Sequence, residues 1–140
     1  METRNEFDLS SDDQGFLDSL GLTWEAIRER GQLWILIHNF EPPFGYIQEK
    51  VSMAINIPSA YPRAQLDMVY FFPALSRKDG HRIGALATLH LDGKSWQRWS
   101  RHRTVKNPWR EGVDNVSTHY ALIENWLIRE FNKVPYEVPA

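Results

Sequence analysis

Cysteine is absent from this chain of 140 residues. Disulfides, thiolate metal sites and thiol nucleophiles are therefore excluded, and the absence fits a cytoplasmic protein. No apolar run approaches the roughly 20 residues that a membrane span requires, so no membrane partner is expected. The polar start Glu2-Thr3-Arg4-Asn5-Glu6 lacks the apolar core of a signal peptide. Charge of one sign is not in excess either. The net charge is -2, which gives no overall electrostatic reason to expect nucleic acid. Internal repeats and low-complexity stretches are missing as well.

Aromatic residues are plentiful, at 13% of the chain, and they argue against disorder. The length is that of one domain. The densest stretch is 93–114, which holds Trp96, Trp99 and Trp109 among Arg98, Arg101, Arg103 and Arg110. Three indoles do not sit comfortably in a solvated loop, because each would leave a large apolar area in water. The segment either packs against the domain or serves as a docking surface rich in Trp and Arg.

The rest reads as scaffold. Ser10-Ser11-Asp12-Asp13 offers N-caps for a short helix with Phe16, Leu17 and Leu20 on one face, ended by Gly21. Residues 24–28 alternate weakly and Arg30-Gly31 reads as a turn. Residues 32–40 carry the strongest β signal, so a hairpin is expected, with its second strand covered on both faces. Two further strands are predicted at 50–57, stopped by Pro58, and at 65–72, stopped by Pro73. A turn at Asp79-Gly80 and a short edge strand are expected before residue 92. The 93–114 segment reads as irregular. Asp114 is the expected N-cap of a final helix over about 115–132, with Val116, Tyr120, Ile123, Leu127 and Phe131 at helical spacing. The expectation is an α+β domain over 12–133: N-terminal helix, antiparallel four-stranded meander, irregular segment, C-terminal helix. Residues 1–11 would form a flexible lead and 134–140 a proline-broken tail.

That order, with Ile57-Pro58-Ser59-Ala60-Tyr61-Pro62, resembles the ubiquitin-conjugating (E2) fold. An ordinary E2 carries a His-Pro-Asn motif before its catalytic cysteine and a Trp-x-Pro motif after it. Here His90 lies ten residues before Ser100 and Trp109 nine after it. The chemistry departs from that pattern: Leu91-Asp92 follows His90, and Ser100 stands where the cysteine would be. The chain resembles more closely the bacterial group called prokaryotic E2 family E, from Phe16 to about Glu130. The shared motifs are Leu20-Gly21-Leu22-x-Trp24, Pro43-x-Gly45-Tyr46, Ile57-Pro58-x-x-Tyr61-Pro62 and Leu66-Asp67-Met68. To these are added Trp96-Gln97-Arg98-Trp99-Ser100-Arg101-His102 and Trp109-Arg110-x-Gly112-Val113-Asp114. The resemblance implies an E2-like active-site segment and three kinds of partner: a ubiquitin-like protein, an E1-like adenylating enzyme and often a JAB-type protease. Such sets are associated with ubiquitin-like conjugation or phage defence.

Ser100 and His102 lie two apart, so an extended backbone would put them on one face as nucleophile and base. The alternative is a serine that satisfies backbone in a tight loop, beside a histidine hydrogen-bonded to Asp114 or a carbonyl. His102 is the strongest single candidate for chemistry near neutral pH. Arg98, Arg101 and Arg103 would clamp a carboxylate, or else pair with Asp92, Glu111 or Asp114. Trp99 and Trp109 are expected in the core and Trp96 at the surface as a partner anchor. Asp67, if buried, needs an Arg or His partner, and the Trp/Arg segment is placed to supply one. His90, His102 and His119 show no short metal-ligand spacing, so neither metal nor cofactor is expected. Three functions follow. One is a cysteine-less, non-catalytic or assisting E2-like subunit. Another is an unconventional conjugating enzyme using Ser100 or His102. The third is a thiol E2 whose cysteine was replaced.

Overall fold

Ser10 accepts the Asp13 N–H on its hydroxyl, which caps α1 (Ser11–Ser19). After Leu20, Gly21 takes a φ of +70° and closes the helix. The computed structural model describes residues 2–138. Six strands follow: β1 (Trp24–Glu29), β2 (Gln32–Phe40), β3 (Val51–Ile57), β4 (Val69–Phe72), β5 (Leu86–Leu91) and β6 (Lys94–Trp99). They form one antiparallel sheet in the order β1-β2-β3-β4-β6-β5. The last element is α2 (Val116–Lys133). The α+β class stands, but the expected four-stranded meander is a sheet of six. Among the described residues, no helix is long and apolar enough to cross a membrane.

Of the two further strands, β5 is the short edge strand expected before residue 92, and β6 follows from a turn. Asp92 and Gly93 both have positive φ, 52° and 73°, and join Leu91 to Lys94 across a two-residue hairpin. That conformation suits Asp-Gly and matches the twist of the flanking strands. The segment expected to be irregular therefore opens as a strand, paired to β4 on one side and β5 on the other.

Strand parity then divides the core. Ile35, Ile37, Met53, Ile55, Phe71 and Trp99 meet α1 and α2 on one face. On the other, Trp34, Leu36, Ala54, Tyr70, Leu91 and Trp96 form a second cluster. The apolar run of β2 is covered on both faces, as expected. Trp96 and Trp99 differ by an odd number of residues, so they lie on opposite faces; each is at most 2% exposed. The expected surface anchor Trp96 is thus a core residue, its Nε1–H donating to the Leu91 carbonyl at 2.9 Å.

The sheet curls until its edges meet. Arg4 donates to Glu25 of β1 and to both oxygens of Asp92 in the β5–β6 turn, the latter at 2.8 Å. Asp92 N–H donates to Glu29 at 3.0 Å. Residues 4–6, expected within a flexible lead, run beside β1 with a parallel bridge from Asn5 to Ala26. The tail is held too: Arg77 donates to the Pro135 carbonyl and Glu137 N–H to Asp79.

Candidate functional site

The chain leaves β6 at Ser100 and is fixed at once. Ser100 N–H donates to Ala85 O at 3.0 Å, and Met68 N–H donates to Arg101 O at 3.2 Å. Met68 has a φ of 57°, which breaks the strand expected over 65–72 and delays β4 to Val69. The same kink turns Asp67 toward the segment. His102 Nδ1 lies 2.9 and 3.0 Å from the two Asp67 oxygens. Asp67 is half-buried rather than buried and is partnered by His102; the alternative pairing of His102 with Asp114 is not formed. With Nδ1 turned to the carboxylate, Nε2 is directed away from Asp67. The imidazole side chain is 59% exposed. Among the described residues, no hydrogen bond joins Ser100 Oγ to His102 or any other base.

The arginines take different roles from one another. Arg101 lies over the Trp99 ring at 4.8 Å, donates to the Gly84 and Ala85 carbonyls, and stands 3.6 Å from Glu130. Arg103 lies over Trp109 at 5.1 Å and 3.7 Å from Asp114, with its side chain 5% exposed. Its Nε has no partner. Arg98 pairs with Tyr70 and Ala87 within the sheet and shares the parity of Trp96, so it lies across the sheet from Trp99 and α2. Of the two expected arrangements, Arg103 takes the pairing with Asp114, and the three arginines do not converge as a clamp. Trp109 is partly buried against the core and donates Nε1–H to Pro62 O at 3.0 Å.

Asp114, expected as the N-cap, folds back into its own loop and accepts the Arg110 N–H at 2.7 Å. Burial alone would raise its carboxyl pKa. The Arg110 amide, the Thr118 hydroxyl and the Arg103 and Arg110 charges outweigh it and hold the group below the usual range. Asn115 takes the cap, forming a reciprocal capping box with Thr118. Beneath the segment, His119 is fully buried, and its Nε2–H donates to Met68 O at 2.9 Å. Burial is the main cause that lowers its pKa to about 4, so it is neutral. His90 sits near the far tip of the β5–β6 hairpin, paired with Ser95. The three histidines do not converge. Among the described residues, no cluster of His, Asp and Glu is placed to hold a metal.

Between the 100–104 segment and the C-terminal half of α2 runs a cleft of about 420 Å³. Ser100, His102, Arg103, Arg129, Glu130 and Lys133 are among its walls. Behind it lies an ion cluster that the sequence did not announce. Arg77, 2% exposed, is held by Asp79 and lies 3.4 Å from Glu130. Its partner's carboxyl is pushed well below the usual range, first by the Arg77 hydrogen bond. The Arg77 guanidinium also lies 4.4 Å from the Phe131 ring centre.

The family model described as Prokaryotic E2 family E matches residues 9–130. The chain belongs to prokaryotic E2 family E. No curated protein and no solved structure matches it. In this prokaryotic E2-like chain, Ser100 is half-buried at the end of β6 with its amide bonded to Ala85. A hydroxyl without a base in contact is a poor nucleophile. What the segment presents instead is an oriented imidazole above a basic cleft.

Proposed function

We propose that this E2-like protein is a non-thioester subunit of a bacterial ubiquitin-like pathway. It docks a ubiquitin-like protein, its E1-like adenylating enzyme, or both, through the 100–114 segment and the cleft beneath it. One observation carries this reading: the chain has no thiol, and Ser100 has no base beside it. A thioester carrier needs the thiolate. The buried pairs Arg103–Asp114 and Arg101–Glu130 support it further, because they hold the segment rigid without a partner. Rigid elements lose less ordering entropy when they bind. A JAB-type protease and a cytoplasmic setting belong to the same proposal.

The Asp67–His102 pair favours a second reading, an assisting catalytic role. Asp67 fixes the Nδ1–H tautomer, which leaves Nε2 to take the proton of an amine attacking an acyl group held by a partner. Both readings are tested by mixing the protein with a ubiquitin-like protein, an E1-like enzyme and ATP. Co-elution without a mass adduct on this chain is expected. A covalent adduct would overturn the docking reading. If conjugation between other chains is lost on His102→Ala while co-elution persists, the assisting role is selected.

A further inference from the structure

The walls of the cleft are not neutral. Glu130 is its one acid, and Arg77 and Arg101 already approach it at 3.4 and 3.6 Å. Arg103 is set against Asp114. Subtracting these pairs leaves Arg129 and Lys133 on α2, both exposed. A second hollow of about 280 Å³ shares Ser100, Arg101, Glu130 and Lys133 with the cleft and adds exposed Arg82. Among the described residues, Arg82, Arg129 and Lys133 form no ion pair. The two hollows adjoin through these shared walls and, among the described residues, hold three uncompensated cations and a buried guanidinium whose Nε lacks a partner.

The spacing narrows the ligand. Arg129 and Lys133 are one helical turn apart, about 6 Å between their stems. Side chains two apart on an extended peptide are separated by about 7 Å on the same side. Three cations spread over α2 and the β4–β5 connection suit a chain that carries several anions rather than a single small one. We infer that these adjoining hollows bind an extended acidic peptide segment in which carboxylates alternate with other residues, read by Arg129 and Lys133 with Arg82 at one end. The inference rests on the docking reading and assigns its ligand chemistry. It shifts recognition from the arginines of the 100–104 segment, which are paired, to cations on α2 and the β4–β5 connection.

The test is a chemical-shift titration of the full chain with a capped peptide of alternating Asp and Ser, beside a control with Asn for Asp. Shifts are expected at residues 100–104 and in the last two turns of α2, weakening as salt is added. The double variant Arg129→Glu/Lys133→Glu should bind about tenfold or more weakly, because two attractions become repulsions. Both residues are exposed and unpaired, so its melting temperature should match the wild type; Arg82→Glu provides an independent, milder variant. No shifts at millimolar peptide, an equal response to the Asn control, or unchanged binding by the double variant would each overturn the inference. So would tighter binding of an oligonucleotide at the same residues. No partner protein or ATP enters this titration, so its failure leaves the docking reading to be judged by co-elution.

Discussion

His119 is buried without solvent contact, and its surroundings decide its charge. Burial lowers its pKa from 6.5 to about 4, the nearby Arg103 charge adds to the effect, and the Met68 carbonyl and Asp67 oppose it. The unfolded chain therefore binds more protons between those values, so stability falls as pH drops from 6.5 toward 4. The loss should approach about 3 kcal/mol. His119→Gln, which retains a donor for Met68, should flatten that limb in urea melts recorded across the pH range. Gly45 is constrained by contact rather than charge. It has a φ of +114°, and an added Cβ would lie 2.3 Å from Phe131 Cζ. Gly45→Ala should destabilise the fold by about 3 kcal/mol, and by less in a Phe131→Leu background; calorimetry of both checks it. Neither constraint was legible in the sequence. His119 lies on the apolar side of a helix and Gly45 in a proline-rich loop, but what each touches lies far along the chain. Asp67 was legible as a group needing a partner. That His102 meets Asp67 rather than Asp114 depended on the kink at Met68.

At the scale of elements, the Tyr61-Pro62 turn connects the two helices. Tyr61 O–H donates to Asp13 of α1 at 2.6 Å and accepts the Val116 N–H at the start of α2 at 3.1 Å. Burial first, and then the Asp13 hydrogen bond and charge, push the phenol far above its ordinary range. Tyr61→Phe leaves a buried carboxylate short of a donor, so a loss of about 2 kcal/mol is expected in denaturant melts. Asn115→Ala removes the cap of α2 and should cost about 1 kcal/mol, with faster hydrogen exchange in its first turn. Strands β1 to β3 and both helices were readable from periodicity, and α1 also from its Ser10 cap, because each signal is local; the cap of α2 lies one residue beyond the expected Asp114. Strand β6 was also signalled, by Asp92-Gly93 between apolar residues. It was obscured by the weight of tryptophan and arginine, which resembles a surface patch until strand parity separates Trp96 from Trp99.

Across the whole molecule, closure of the sheet depends on Arg4, which bridges its first and last strands. The Arg4 hydrogen bond is the main cause that lowers the Glu25 pKa from 4.5 to about 2, against desolvation and aided by His38. A depressed carboxylate stabilises the fold above its unfolded pKa. That contribution is lost as pH falls from 4.5 toward 2. Arg4→Ala should cost about 2 kcal/mol at neutral pH and make acid unfolding less steep over that interval, followed by circular dichroism. It should also free the β5–β6 hairpin to exchange faster.

The sequence by itself determined the class, the family motifs, the Ser10 cap of α1, the Arg30-Gly31 turn and the absence of a thiol. These depend on residue identity and on neighbours within a few positions. Only the tertiary structure decided that Trp96 is core, that Arg101 and Arg103 are already paired, and that Arg82, Arg129 and Lys133 are left over beside the oriented His102. Whether a charge is spent or available depends on groups that chain folding brings together from distant positions, and local pattern carries no record of them.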